Sequence, residues 1–193
     1  MGLETGSPRT GGEIIAALSR LQSQSEELVD ALGLEVFFAP QGSHWSPRDH
    51  VRHLTKSVRP VARALGLPKP ALFVLFGPAL RPSRPFDEMV TVYRAKLAAG
   101  ATAGRFTPST QEVPPVESER EAARAKVCAS WRETAHGLAA AAAKWDERAL
   151  DRYRLPHPLL GKLTVREMLF FTLYHNAHHL RIVDERSRGA RID

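Results

Sequence analysis

The sequence predicts an all-α fold: a four-helix bundle with one long, Pro-rich crossover between its second and third helices. Three observations lead there. Four long segments repeat their apolar residues at helical spacing, several of them begin with helix-capping residues, and no run of alternating strands is present. At 193 residues, 43% hydrophobic and 25% charged, the chain is expected to form one domain over 1–193 with a proper core.

The first helix is marked by Ile14, Leu18, Leu21, Ser25, Leu28 and Leu32, which recur every three or four residues. Thr10-x-x-Glu13 ahead of it is a weak capping box, diluted by two glycines. The second helix runs from about Trp45 to Leu65, with Val51, Leu54, Val58, Val61 and Leu65 on one side. Ser46-Pro47 places a cap before a proline whose missing N–H costs nothing at the first helical position. Pro60, inside the helix, is expected to kink it.

Residues 66–115 hold eight of the 14 prolines and form the crossover, with a short helix expected at Phe86 to Ala99. "ALFVLF" (71–76) is the one β-like stretch. In the third helix Cys128, Trp131, Ala135, Leu138, Ala142 and Trp145 keep one seam, so both tryptophans are expected in the core. Its start is expected at the capping box Ser118-x-x-Glu121. The link "LPHPLLGKL" (155–163) is short enough to make the third and fourth helices antiparallel neighbours. The fourth helix, Thr164 to about Arg186, opens on a third capping box, Thr164-x-x-Glu167.

Composition narrows the function. The net charge of +6 raises nucleic acid as a partner, but the basic residues are scattered along the chain and not interleaved with stacking aromatics. No nucleic-acid partner is therefore expected. No apolar run reaches the roughly 18 residues of a membrane span. The N-terminal MGLETGSPRTGG lacks a signal-peptide core, and Gly6 breaks the myristoylation pattern. With Cys128 alone, no internal disulfide can form, and a reducing cytoplasm is the expected location. The remaining expected partners are a small-molecule substrate and a second copy of the chain in a homodimer.

The chemistry is concentrated in "HNAHH" (175–179). On a helical wheel His175 and His179 fall within about 20° of Met168, at the centre of the apolar face, with His178 at its edge. Two buried neutral imidazoles need several hydrogen-bond partners, and one shared cation satisfies both. Zinc proteases use the same spacing, but there the residue after the first His is a Glu base, and here it is Asn176. A third ligand must come from another helix. "HWSPRDHVRHL" offers His44, expected ahead of the helix and in solvent, His50, nearer the apolar stripe, and His53, on a flank of small residues. The wheel does not choose between the last two. Imidazole suits zinc, nickel, copper or iron, so the metal is not specified.

Trp45-Ser46 opening a helix, His53-Leu54 eight residues on, and a C-terminal His175-x-x-x-His179 together resemble the DinB-like (DNA-damage-inducible) superfamily and its thiol-dependent S-transferase relatives. "HPLLGKLTVREM" (157–168) is similar to the link in one branch of it. The resemblance implies an up-down-down-up bundle in which His53, His175 and His179 bind a divalent ion (Zn, Ni or Fe). It also implies transfer of a low-molecular-weight thiol, or a related metal-dependent hydrolysis, acting on a small molecule. The chain departs from many relatives at Ile182, where they carry Gln or His. His178 and Arg181 are candidate substrate contacts, and Asp49 is a candidate to orient His53. Ile182 and the lack of an obvious base leave an alternative, a metal-binding bundle without catalysis.

Overall fold

The computed structural model of the chain describes residues 3–40 and 44–189, so the start of the N-terminal motif, Met1-Gly2, lies outside the described residues. The fold is all-α apart from one small hairpin. In chain order it comprises α1 (Gly11–Asp30), α2 (Leu34–Phe38), α3 (Pro47–Leu65), α4 (Lys69–Phe76), α5 (Phe86–Ala98), α6 (Glu117–Ala142), α7 (Glu147–Arg152), β1 (Arg154–His157), β2 (Gly161–Thr164) and α8 (Val165–Gly189).

Three of the four expected caps form. Thr10 Oγ1 accepts the Glu13 N–H at 3.2 Å while the Glu13 carboxylate accepts the Thr10 N–H. Ser46 accepts the Asp49 N–H at 3.2 Å ahead of Pro47. Thr164 and Glu167 exchange the same reciprocal pair at 3.1 and 3.0 Å, which satisfies backbone N–H groups that a helix start leaves without partners. The box expected at Ser118 does not form: α6 begins at Glu117 after an extended Val116 with no side-chain cap. Glu117 and Glu119 occupy its first turn, where negative charge complements the helix dipole. α3 continues as helix through Pro60.

Four long helices close a ring. α3 packs on α6 and α8, and α1 packs on the same two. The expectation that the third and fourth helices sit side by side is not met, because α6 and α8 make no extensive contact with each other. The link between them is longer in structural terms than it reads, since it contains α7 and the antiparallel β1–β2 hairpin. Leu155 pairs with Leu163 across that hairpin, and both are buried. Gly161 closes the turn at φ +73°, a conformation side chains rarely adopt.

The β-like "ALFVLF" is helical, in α4. A short apolar run does not distinguish strand from helix by periodicity, and here Leu72 alone of the helix is buried while Val74 and Leu75 are exposed. Trp131 and Trp145 lie in the core as expected. Their indole N–H groups donate to Ser25 Oγ (2.8 Å) and to the Leu65 carbonyl (3.1 Å).

The crossover is tied to α8 through Glu167, whose buried carboxylate accepts from Arg81 Nη1 (2.6 Å), Arg81 Nη2 (3.0 Å) and Arg84 Nε (2.9 Å). That anchor lies two turns before His175 on the same helix. Among the described residues no helix is long and apolar enough to cross a membrane.

Candidate metal centre

α8 supplies His175 and His179, one turn apart, with ring centroids 4.6 Å from each other. α3 supplies His53, whose ring stands 4.5 Å from that of His179. His53 Nε2 and His175 Nε2 approach to 3.0 Å. Each of the three buried rings offers a nitrogen, and these nitrogens all lie within 4.8 Å of one another. The structure thus brings together His53, His175 and His179, the three histidines that the family resemblance implied.

His50 has a different position. Its Nδ1 meets His179 Nδ1 at 2.9 Å, so it approaches the cluster through His179. His44 is exposed, as expected. Asp49 does not orient His53: its carboxylate accepts from Ser46 Oγ (2.8 Å) and Arg52 Nη1 (3.0 Å) at the start of α3. What orients His53 is the Phe106 carbonyl, 3.0 Å from Nδ1.

A carbonyl can only accept, so His53 Nδ1 carries the ring proton and Nε2 presents its lone pair to His175. Phe106 belongs to a short 3-10 turn, Gly104–Phe106. The segment after it is strapped onto α3 at successive turns. Lys56 Nζ donates to the Thr107 carbonyl (2.9 Å), Arg52 to the Ser109 carbonyl (2.9 Å) and Arg48 Nη2 to the Gln111 carbonyl (2.9 Å). No sequence pattern pointed to this carbonyl, because it comes from the irregular crossover.

Burial holds the cluster neutral. Desolvation lowers the pKa of His175 to about 3, with the neighbouring His53 adding to the effect. It also puts His179 well below the ordinary imidazole value, with His175, His53 and His50 acting in the same direction. Burial lowers His53 as well, against the raising effect of its bond to Phe106. Neutral imidazole is the form that ligates a metal.

The donor set fits a divalent cation. Zinc–nitrogen bonds of ~2.0–2.1 Å in a tetrahedron set ligand nitrogens about 3.4 Å apart, close to the His53–His175 approach. Beside the cluster, the buried His50 Nε2 has no hydrogen-bond partner among the described residues.

The cluster forms part of the wall of a cavity of about 660 Å³. Trp45, Tyr93, Phe106, His157 and Phe171 also line it, and the wall is mostly apolar. Among the described residues no carboxylate lines it, and Arg105 supplies the one permanent charge. The Trp45 ring lies 5.0 Å from His53, 5.5 Å from His50 and 6.0 Å from His179. Tyr93 stays a phenol at neutral pH, burial pushing its pKa up to about 12.

Of the two proposed substrate contacts, His178 lines the cavity, whereas Arg181 donates to the Leu3 carbonyl (2.7 Å) and ties the N-terminal segment to α8. Ile182 is partly buried and is not a lining residue.

No curated protein matches the chain. Among solved structures it is similar to the colibactin self-resistance protein ClbS in complex with a dsDNA, at 15% identity and a TM-score of 0.46 over 92% of this chain and 95% of that one. The expectation of no nucleic-acid partner is corrected here, because its premise fails: scatter along the chain is not scatter in space, and Arg48, Arg52, Lys56, Arg59 and Arg63 recur every three or four residues along α3. The family model of the DinB superfamily matches residues 17–183, and the chain belongs to that superfamily.

Proposed function

We propose that the chain is a metal-dependent enzyme acting on a small molecule, by transfer of a low-molecular-weight thiol or by hydrolysis, with a divalent ion held by His53, His175 and His179. One observation carries the reading: three buried, neutral imidazoles from two helices converge on the wall of a large apolar cavity. We also take the ring of α1, α6, α3 and α8 as an up-down-down-up bundle.

A divalent ion with three protein ligands keeps an open position and lowers the pKa of a thiol or water bound there. The protein's own groups do the rest. The Phe106 carbonyl holds the His53 proton on Nδ1, and with His179 ligating through Nε2 its Nδ1–H would donate to His50 Nδ1, 2.9 Å away. Both ligands then present Nε2 with its lone pair free. The apolar wall excludes bulk water and strengthens charge interactions inside. Among the described residues the wall offers no Asp or Glu as a general base.

The missing base also favours a second reading, a metal-binding bundle without catalysis. A turnover screen that pairs small thiols with apolar electrophiles, run with and without chelator, separates the two. Chelator-sensitive product formation that is lost in a His175→Ala, His179→Ala double variant supports the enzyme. Turnover that survives complete metal removal contradicts it, and no turnover across a broad panel favours the second reading.

A further inference from the structure

Among the described residues, His157 is the one imidazole on the cavity wall that belongs to neither helix of the histidine cluster. It ends β1, and its Nδ1 accepts two backbone N–H groups, from Leu159 at 3.2 Å and Leu160 at 3.1 Å. A ring nitrogen that accepts carries no proton, so in the neutral ring the proton sits on Nε2. The ring is neutral at physiological pH, since burial lowers its pKa to about 4. Among the described residues no protein group accepts from Nε2. A turn of the hairpin therefore fixes a single hydrogen-bond donor on a wall that is otherwise mostly apolar.

Its distance from the cluster is set by rings in contact. The His157 centroid lies 4.2 Å from that of Phe171, and the Phe171 ring stacks on His175 at 5.2 Å with planes 29° apart. One aromatic ring thus separates the donor from the nearest cluster histidine. A cavity of about 660 Å³ is within the range of roughly 300–1,000 Å³ that encloses drug-sized ligands, and a few fixed polar groups orient a ligand in such sites. With no carboxylate among the described lining residues, the wall offers a cationic ligand no counter-charge.

We propose that the cavity binds a largely apolar small molecule whose oxygen atom, a carbonyl or ether, accepts the hydrogen bond of His157 Nε2–H, with the rest of the molecule lying along Phe171 toward His53, His175 and His179. This rests on the reading of those three histidines as the reacting end of the cavity. His157 is a specificity-determining residue, and its role is to recognise the oxygen.

Calorimetric titration with benzylacetone, and with butylbenzene as the same carbon skeleton without oxygen, tests the assignment on wild type and His157→Phe. The variant keeps a ring against Phe171 and removes the donor. Benzylacetone is expected to bind the variant roughly three- to ten-fold more weakly, the range of one neutral hydrogen bond, while butylbenzene changes less than about two-fold. Equal losses for both probes, no loss for benzylacetone, or no binding of either to wild type overturns the proposal.

Ring-nitrogen NMR on the wild type decides independently of how well the variant folds. His157 is expected as the Nε2–H tautomer, with a proton signal that moves on adding benzylacetone and not butylbenzene; a signal that does not move overturns it. Metal content, measured separately, is expected to be equal in the two proteins. Metal absent from both with the benzylacetone effect intact defeats the metal reading and supports the cavity ligand. Metal retained with the effect absent defeats this inference alone.

Discussion

His53 Nε2 and His175 Nε2 face each other at 3.0 Å across the α3–α8 interface, although 122 residues separate them in the chain. Each lies on the buried side of its own helix, and the packing of the two helices makes a binding set out of them. The consequences for ligation, spectroscopy and stability can each be measured.

His53→Ala is expected to abolish stoichiometric metal binding, because it removes one of the three converging nitrogens. His50→Ala is expected to keep the stoichiometry and to weaken affinity by roughly 10–100-fold, as is usual when the partner of a ligating histidine is removed. Its Nδ1 touches His179 and not the cluster's centre. Equilibrium dialysis with zinc separates the two variants. Loss of metal with His50→Ala and retention with His53→Ala would reverse the assignment.

Trp45 packs on His50, His53 and His179, so its fluorescence is expected to be quenched by nickel or copper entering the site. Trp131 and Trp145, bonded to Ser25 and Leu65, supply a constant background. Trp45→Phe is expected to lose the quenching while keeping its metal by elemental analysis. Quenching that persists in Trp45→Phe would place the ion elsewhere.

The helices and the buried histidine pair were legible in the sequence for a physical reason: both depend on local periodicity. Spacing alone put His175 and His179 on the apolar face, and the caps at Thr10, Ser46 and Thr164 marked helix starts. The choice between His50 and His53 was not legible from the wheel, since both fall on the buried side of α3 and only the packing of α8 distinguishes them. Phe106 was invisible because a backbone carbonyl has no sequence signature, and His157 because the tautomer that makes it a donor is set by two amides in a turn. "ALFVLF" misled because an apolar run of that length fits either secondary structure. The basic residues misled because they were counted along the chain, without regard to the helix face they share.

Glu167 makes the fold sensitive to acid. Burial alone would raise its pKa, but the bonds from Arg81, Arg84 and two backbone N–H groups outweigh that and hold it at about 2, below the ordinary glutamate value. A depressed carboxyl contributes stability that is present above the unfolded pKa and is lost as pH falls through the folded one. With solvent screening allowed for, this contributes on the order of 2 kcal/mol at neutral pH. Glu167→Gln is expected to lower stability to chemical denaturation by about that much at pH 7, with the gap to wild type closing between about pH 4.5 and 2. A gap that does not depend on pH would contradict this assignment.

Ile182, the departure from the family pattern, is not a lining residue of the cavity. Ile182→Gln is therefore expected to leave metal content unchanged and to shift ligand affinity by no more than about two-fold, as for substitutions away from a site. Calorimetric titration with benzylacetone checks this. A change of ten-fold or more would show that position 182 reaches the ligand.

The central claim is that His53, His175 and His179 form a divalent-metal site, and metal content of protein purified without an immobilised-nickel column tests it most directly. The wild type is expected to carry about one divalent ion per chain, bound by three imidazoles as in other three-ligand sites. The His175→Ala, His179→Ala double variant is expected to carry none while retaining the helical circular-dichroism spectrum. Metal retained in the double variant, or a folded wild type that takes up no divalent ion when one is supplied, would contradict the account.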